Sequence, residues 1–185
     1  MNVDCRISYE RRGRRSMDRF HGREAGMAPT TLAERIQRLE DIEAIKQLKA
    51  RCSLLVDRGD RAGFAELFTE DGEFIGAVQR LSGRDAIGAA MFWPFMVHYV
   101  ANPIIDVSGD TAVGTWYFLR PYTAPDGRAH WASGIYEDEY RRIGRNWKFK
   151  QIRITNFFAC PHEQGWTKGD PHDPPIGSAA GLARR

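Results

Sequence analysis

The sequence predicts an α+β domain, with helices packed on one face of a curved antiparallel sheet. Three observations carry this. Apolar residues recur in steps of three and four from Leu32 to Val56, the spacing of one buried helical face. From Tyr99 onward the period shifts towards two, and turn residues divide the stretch into runs, as strands joined by tight turns do. The helical segments come first and the strands follow, an order that places helices together on one side of a sheet.

The first helix opens at Thr31. Thr31 and Glu34 fit a capping box, in which the hydroxyl accepts from a free backbone N–H and the carboxylate reaches back. The periodic set is Leu32, Ile36, Leu39, Ile42, Ile45, Leu48, Cys52, Leu55 and Val56, and it ends near Asp57-Arg58-Gly59. A short second helix follows, with Phe64, Leu67 and Phe68 on one side. Asp71-Gly72 signals a turn, and Glu73 to Val78 reads as a strand. Ser82-Gly83-Arg84-Asp85 is expected to cap a third helix reaching about Phe92. Three strand runs come next: Thr111 to Tyr122, Arg128 to Arg142 and Trp147 to Phe158. The turn Gly109-Asp110 precedes the first run, and Asp126-Gly127 and Gly144-Arg145-Asn146 separate the three; Asp-Gly between alternating runs is a strong hairpin signal.

The ends differ from the body. Residues 1–26 hold Arg6, Arg11, Arg12, Arg14, Arg15, Arg19 and Arg23 against Asp4, Glu10, Asp18 and Glu24. That surplus equals the whole net charge of +3, so the remainder is neutral and lacks the basic surface a nucleic-acid partner requires. The segment has no hydrophobic periodicity and reads as a disordered basic extension. It has neither the apolar stretch of a secretory signal nor the acid-poor composition of a transit peptide. The domain then spans 27–160. Residues 161–185, with Pro161, Pro171, Pro174 and Pro175, read as an irregular arm lying over a pocket mouth or a neighbouring subunit.

Composition narrows the function. The longest nearly apolar run, Met91 to Ala101, is interrupted by Pro94 and His98, whereas a membrane-spanning helix needs about 20 apolar residues. Cys5, Cys52 and Cys160 have no metal-like spacing and read as reduced thiols of a cytoplasmic protein. The chain contains no P-loop, GxGxxG, GxSxG or HExxH. His162 and His172, near Glu163 and Asp173, read as solvated polar residues, so no metal is expected.

Two residues pair plausibly. Asp57 ends the first helix after Leu54-Leu55-Val56. A helix C-terminus disfavours an acid, so Asp57 needs a cationic or hydrogen-bonding partner. Either Arg58 or Arg61 satisfies it at the surface, or it faces a cavity. His98 lies within Phe92-Trp93-Pro94-Phe95-Met96-Val97-His98-Tyr99-Val100. An imidazole in such company must hydrogen-bond, either to a carbonyl as a core histidine or to a carboxylate as a base.

The runs Leu39-Glu40-Asp41-Ile42-Glu43-Ala44-Ile45-Lys46-Gln47-Leu48, Val56-Asp57-Arg58-Gly59-Asp60 and Leu67-Phe68-Thr69-Glu70-Asp71-Gly72 resemble the opening of the SnoaL-like family of the nuclear transport factor 2-like superfamily. Gly83-Arg84-Asp85-Ala86-Ile87, Tyr136-Glu137-Asp138-Glu139-Tyr140 and Trp147-Lys148-Phe149 continue the match over residues 32–158. Trp93-Pro94 with His98-Tyr99-x-x-Asn102 resembles the branch of hexachlorocyclohexane dehydrochlorinase, scytalone dehydratase and bile-acid dehydratase. The resemblance implies a cone-shaped, cystatin-like α+β barrel around a pocket. It makes His98 the proton-abstracting base, Asp57 its orienting acid and a strand arginine near Gln151, Ile152 or Arg153 the leaving-group holder. Arg153 is the residue chosen, although alignment on Trp147 and on Asn156 differs by one position. Trp93, Trp116, Phe118, Arg120, His130, Ala132, Gly134 and Tyr136 are assigned to the pocket.

The expected activity is a cofactor-independent lyase acting on a small apolar cyclic or aromatic molecule. A non-catalytic subunit like the dioxygenase β subunit, or an isomerase or polyketide cyclase of the same fold, is the alternative. A homo-oligomer, dimer or trimer, is expected, with no nucleic-acid or membrane partner. Deleting residues 1–26 should leave the melting temperature and turnover nearly unchanged, because nothing there can join a core; thermal denaturation of the truncated chain measures this.

Overall fold

The computed structural model describes residues 31–76, 79–90 and 93–166; the basic extension and most of the C-terminal arm lie outside them. Helix α1 spans Leu32–Asp57 and begins with the capping box. Glu34 N–H donates to Thr31 Oγ1 at 3.2 Å, and Thr31 N–H donates to Glu34 Oε2 at 3.0 Å. Asp60 caps α2, Arg61–Glu66, by accepting from Gly63 N–H at 2.8 Å. Helix α3, Arg84–Gly88, is shorter than expected and has Gly83 at its N-cap with no side-chain bond. Gly88 is a poor helix former and Pro94 lies ahead, so the chain leaves the helix early. Phe92 lies outside the described residues.

Among the described residues seven strands form one curled sheet: β1 Phe68–Ile75, β2 Arg80–Ser82, β3 Phe95–Met96, β4 Tyr99–Ser108, β5 Thr111–Thr123, β6 Ala129–Ile143 and β7 Asn146–Pro161. The order is β2-β1-β7-β6-β5-β3, and β4 also pairs with β5. The expected meander from β4 to β7 is present, but the sheet is mixed rather than wholly antiparallel, because β1 runs parallel to β7. The helical and strand segments between them carry the chain from one edge of the meander to the other. Strand β1 also begins at Phe68, earlier than expected, and Val78 lies outside the described residues. The Asp126-Gly127 turn works as the sequence suggests: Gly127 adopts φ 79°, a left-handed conformation that glycine takes freely.

Helix α1 covers the inner face of the sheet. Ile45 and Leu48 meet Phe64, Phe68, Ile87, Trp116, Tyr140, Phe149 and Ile152 in the core. On β6, His130, Ala132, Gly134, Tyr136, Asp138 and Tyr140 are all buried in strict alternation.

Polar contacts fix the helix on that face. Arg142 grips both carboxylate oxygens of Asp41 at 2.7 and 2.8 Å, and Trp147 Nε1 donates to the same group at 3.1 Å. Two turns on, Lys49 Nζ donates to Asp138 Oδ2 at 2.8 Å with both side chains almost wholly inaccessible. Tyr140 Oη donates to the same oxygen at 2.9 Å, and Trp116 Nε1 donates to Tyr140 Oη at 3.0 Å. Lys49→Met should destabilise the fold by about 3–5 kcal/mol by leaving a buried carboxylate without its cation. Lys49→Met combined with Asp138→Leu should recover most of that loss, as measured by urea unfolding.

Candidate active site

Asp57 is the last residue of α1, where aligned carbonyls oppose a negative charge. The chain between β3 and β4 compensates. His98 N–H donates to Asp57 Oδ2 at 3.1 Å, and its Nδ1 lies 2.6 Å from Oδ1. Val97 N–H donates to the Pro121 carbonyl at 3.1 Å, tying this connection to β5. His98 is thus the hydrogen-bonding partner that Asp57 requires, from the cavity side rather than from the surface arginines the sequence also offers. A carboxylate only accepts, so the neutral imidazole carries its proton on Nδ1 and presents the Nε2 lone pair. Among the described residues Nε2 has no hydrogen-bond partner.

The His98 side chain is only 6% exposed. Burial lowers its pKa below the ordinary histidine value; the hydrogen bond to Asp57 opposes this, and the positive charges of Arg120 and Lys49 add to the lowering. The carboxylate alone would raise the pKa. Here burial and the two cations outweigh it, and His98 is held in its neutral, proton-accepting form.

The residues expected on the inner face separate into groups. Phe118 and Tyr136 pack with ring centroids 4.8 Å apart. Gly134 lies between them and β7; a Cβ there would fall 2.0 Å from the Thr155 carbonyl and 2.9 Å from the Phe118 ring, so only glycine fits. Ala132 is fully buried beside it. Trp93 packs on Tyr122, and Tyr122 on His130, at 5.6 and 5.3 Å. His130 is buried with Nδ1 3.1 Å from the Arg128 carbonyl, the geometry of a bonded core histidine. Trp116 faces inward but belongs to the Lys49–Asp138–Tyr140 network. The Arg120 guanidinium carbon lies 5.8 Å from the Phe118 ring centroid and 5.1 Å from that of Tyr122.

Arg153 is a correction. It is exposed and pairs with Glu137, on the face opposite Ile152, Ile154 and Asn156. The cause is a bulge. Tyr140 pairs with Phe149 but Glu139 pairs with Gln151, leaving Lys150 as an extra residue. Counting in twos from Trp147 puts Arg153 inside, and one extra residue turns it out. This bulge accounts for the one-residue disagreement between the two alignments.

Several participants were not anticipated. Asn156 pairs with Gly134, and its Oδ1 is buried without a partner. Lys49 and Asp138 carry a sequence signal, since opposite charges occupy buried positions of a helix and a strand. Asn102 also has a local explanation: it takes φ 52°, at the point where β4 slips register against β5, and so bends the strand. Cys52 is buried, and burial pushes its thiol up to about 12, which makes it a packing group rather than a nucleophile. Among the described residues no cluster of three or more His, Cys, Asp or Glu side chains could hold a metal, and no helix is long and apolar enough to cross a membrane.

A family model described as a SnoaL-like domain matches residues 37–153. The chain belongs to the SnoaL-like family. Its cystatin-like fold is shared with solved structures. A hexachlorocyclohexane dehydrochlorinase of Novosphingobium barchaimii LL02 is 21% identical, with a TM-score of 0.63 over 76% of this chain and 99% of the other. A scytalone-dehydratase-like protein of Novosphingobium aromaticivorans is 24% identical, with a TM-score of 0.62 over 77% and 97%. A nuclear transport factor 2-like protein of the same organism, with a cystatin-like fold, is 26% identical, with a TM-score of 0.57 over 85% and 97%. No curated protein matches the chain.

The site's electrostatics are testable without a substrate. Arg120→Gln should raise the His98 pKa and Asp57→Asn should lower it further; the ring carbon and proton shifts of His98, followed by NMR against pH, give both directions.

Proposed function

We propose that this SnoaL-like protein is a cofactor-independent lyase that removes water or halide from a small cyclic or aromatic substrate. The observation that supports this most is the 2.6 Å contact of Asp57 with His98 Nδ1, which leaves Nε2 as an oriented base. Nε2 takes a proton from the carbon next to the one bearing the leaving group. The C–H electron pair becomes the new double bond, and the leaving group departs with its own bonding pair. Asp57 stabilises the imidazolium as it forms. For a dehydration, the proton on Nε2 can pass to the departing oxygen.

Acid–base help of this kind contributes about 10²–10⁴-fold. Holding the substrate against the aromatic inner face contributes much of the remainder. A non-catalytic subunit would leave a half-buried carboxylate and a buried, unprotonated imidazole without a task. An isomerase would use the same base but return the proton to a different carbon of the substrate without expelling a group.

His98→Ala should lower kcat by about 10²–10⁴-fold with little change in melting temperature, and Asp57→Asn should remove a large part of the rate. Because the His98 pKa lies below its ordinary value, turnover should persist on lowering the pH through about 6.5 and fall only further into acid. Initial rates against a panel of cyclic alcohols and halides measure both. Full turnover in His98→Ala excludes the mechanism.

A further inference from the structure

Three described arginines have an Nε that is buried without a hydrogen bond: Arg84, Arg120 and Arg142. Arg84 has Glu66 at 3.4 Å, and Arg142 has Asp41 at 2.7 Å. Arg120 has no carboxylate and no hydrogen bond among the described residues. It stands on the inner face, in the same strand alternation as Phe118 and Tyr122. Its guanidinium carbon lies over both rings, and its charge reaches both His98 and Tyr136.

A partly buried guanidinium loses much of its hydration. Ring contacts return part of this, less than a matched carboxylate provides through two charge-assisted hydrogen bonds. The protein satisfies its other half-buried arginines with acids and leaves this one open beside the base. We infer that Arg120 receives a carboxylate carried by the substrate, so that the substrate class is a small cyclic or aromatic acid rather than a neutral ring. The inference rests on the lyase reading for the site and adds the charge of its ligand. Arg120 is then a specificity-determining residue, fixing the ring so that its reacting C–H faces Nε2.

The probes are benzoate and cyclohexanecarboxylate against benzamide and cyclohexanecarboxamide, which have similar shapes and no charge. Calorimetric titration of the full chain should show at least one carboxylate binding about tenfold or more tightly than its amide. Arg120→Gln should erase that preference and Arg120→Lys should keep part of it. Equal binding of acid and amide by the wild type, or no binding by either acid, overturns the inference whether or not Arg120→Gln folds. His98→Ala separates the two readings. It should still prefer carboxylates while losing turnover. Carboxylate preference with full turnover in His98→Ala defeats the lyase reading alone. Turnover of a neutral substrate with no acid preference defeats the Arg120 inference alone.

Discussion

The buried contact between Lys49 and Asp138 sets the position of everything else. Two opposite charges inside a core are tolerable only when their geometry is close to ideal, because each has given up water. The pair therefore admits one rotation and one height of α1 over β6. Asp41 and Asp57 each lie eight residues from Lys49 along the helix, about 12 Å at the rise of an α-helix. With the centre pinned, one end arrives at Arg142 and Trp147 and the other at His98. Tyr140 and Trp116 extend the pinning into β5 through a chain of donors. The core of Phe64, Phe68 and Phe149 then closes around a helix already located by polar contacts.

At the open end of that helix, competing fields are resolved by one residue. The helix terminus works against Asp57, yet His98 brings it both a backbone N–H and a ring N–H. The same contact settles the tautomer of the ring. Burial, together with Arg120 and Lys49, keeps the imidazole unprotonated against the pull of the carboxylate. A strong orienting acid and a neutral base coexist because burial, helped by the charges of Arg120 and Lys49, disfavours the imidazolium.

Much of this was legible in the sequence where the signal is local. The capping box at Thr31, the helical period to Val56 and the turns at Gly109, Asp126 and Gly144 depend on neighbours within a few positions. The shared facing of His130, Ala132, Gly134 and Tyr136 could be read from strand parity for the same reason, while the family resemblance implied that this face is the inner one. Asp57 and His98 could be singled out because each is a polar group at the edge of an apolar run. The parallel pairing of β1 with β7 was not legible, since two distant segments determine it. Arg153 was misplaced because a bulge leaves no mark in composition: Lys150 is an ordinary strand residue until its partner is known. The Lys49–Asp138 pair was visible only as two charges out of place, one on a helix and one on a strand.

The extra residue at Lys150 has a wider consequence. Its side chain binds Asp71 of β1, through the carbonyl at 2.8 Å and the carboxylate at 2.7 Å, so the irregularity is anchored to the neighbouring strand. On β7 it sets the facing of Gln151 to Asn156, up to a second register shift opposite Ser133 and Gly134, while β5, β6 and α1 are untouched by it. A lineage that lost this one codon would leave Phe149, Gln151 and Ile152 in plain alternation and keep the row Ile152, Ile154 and Asn156 facing inward. The bulge thus absorbs a change in length without turning that wall of the barrel inside out, with the base and its acid left in place.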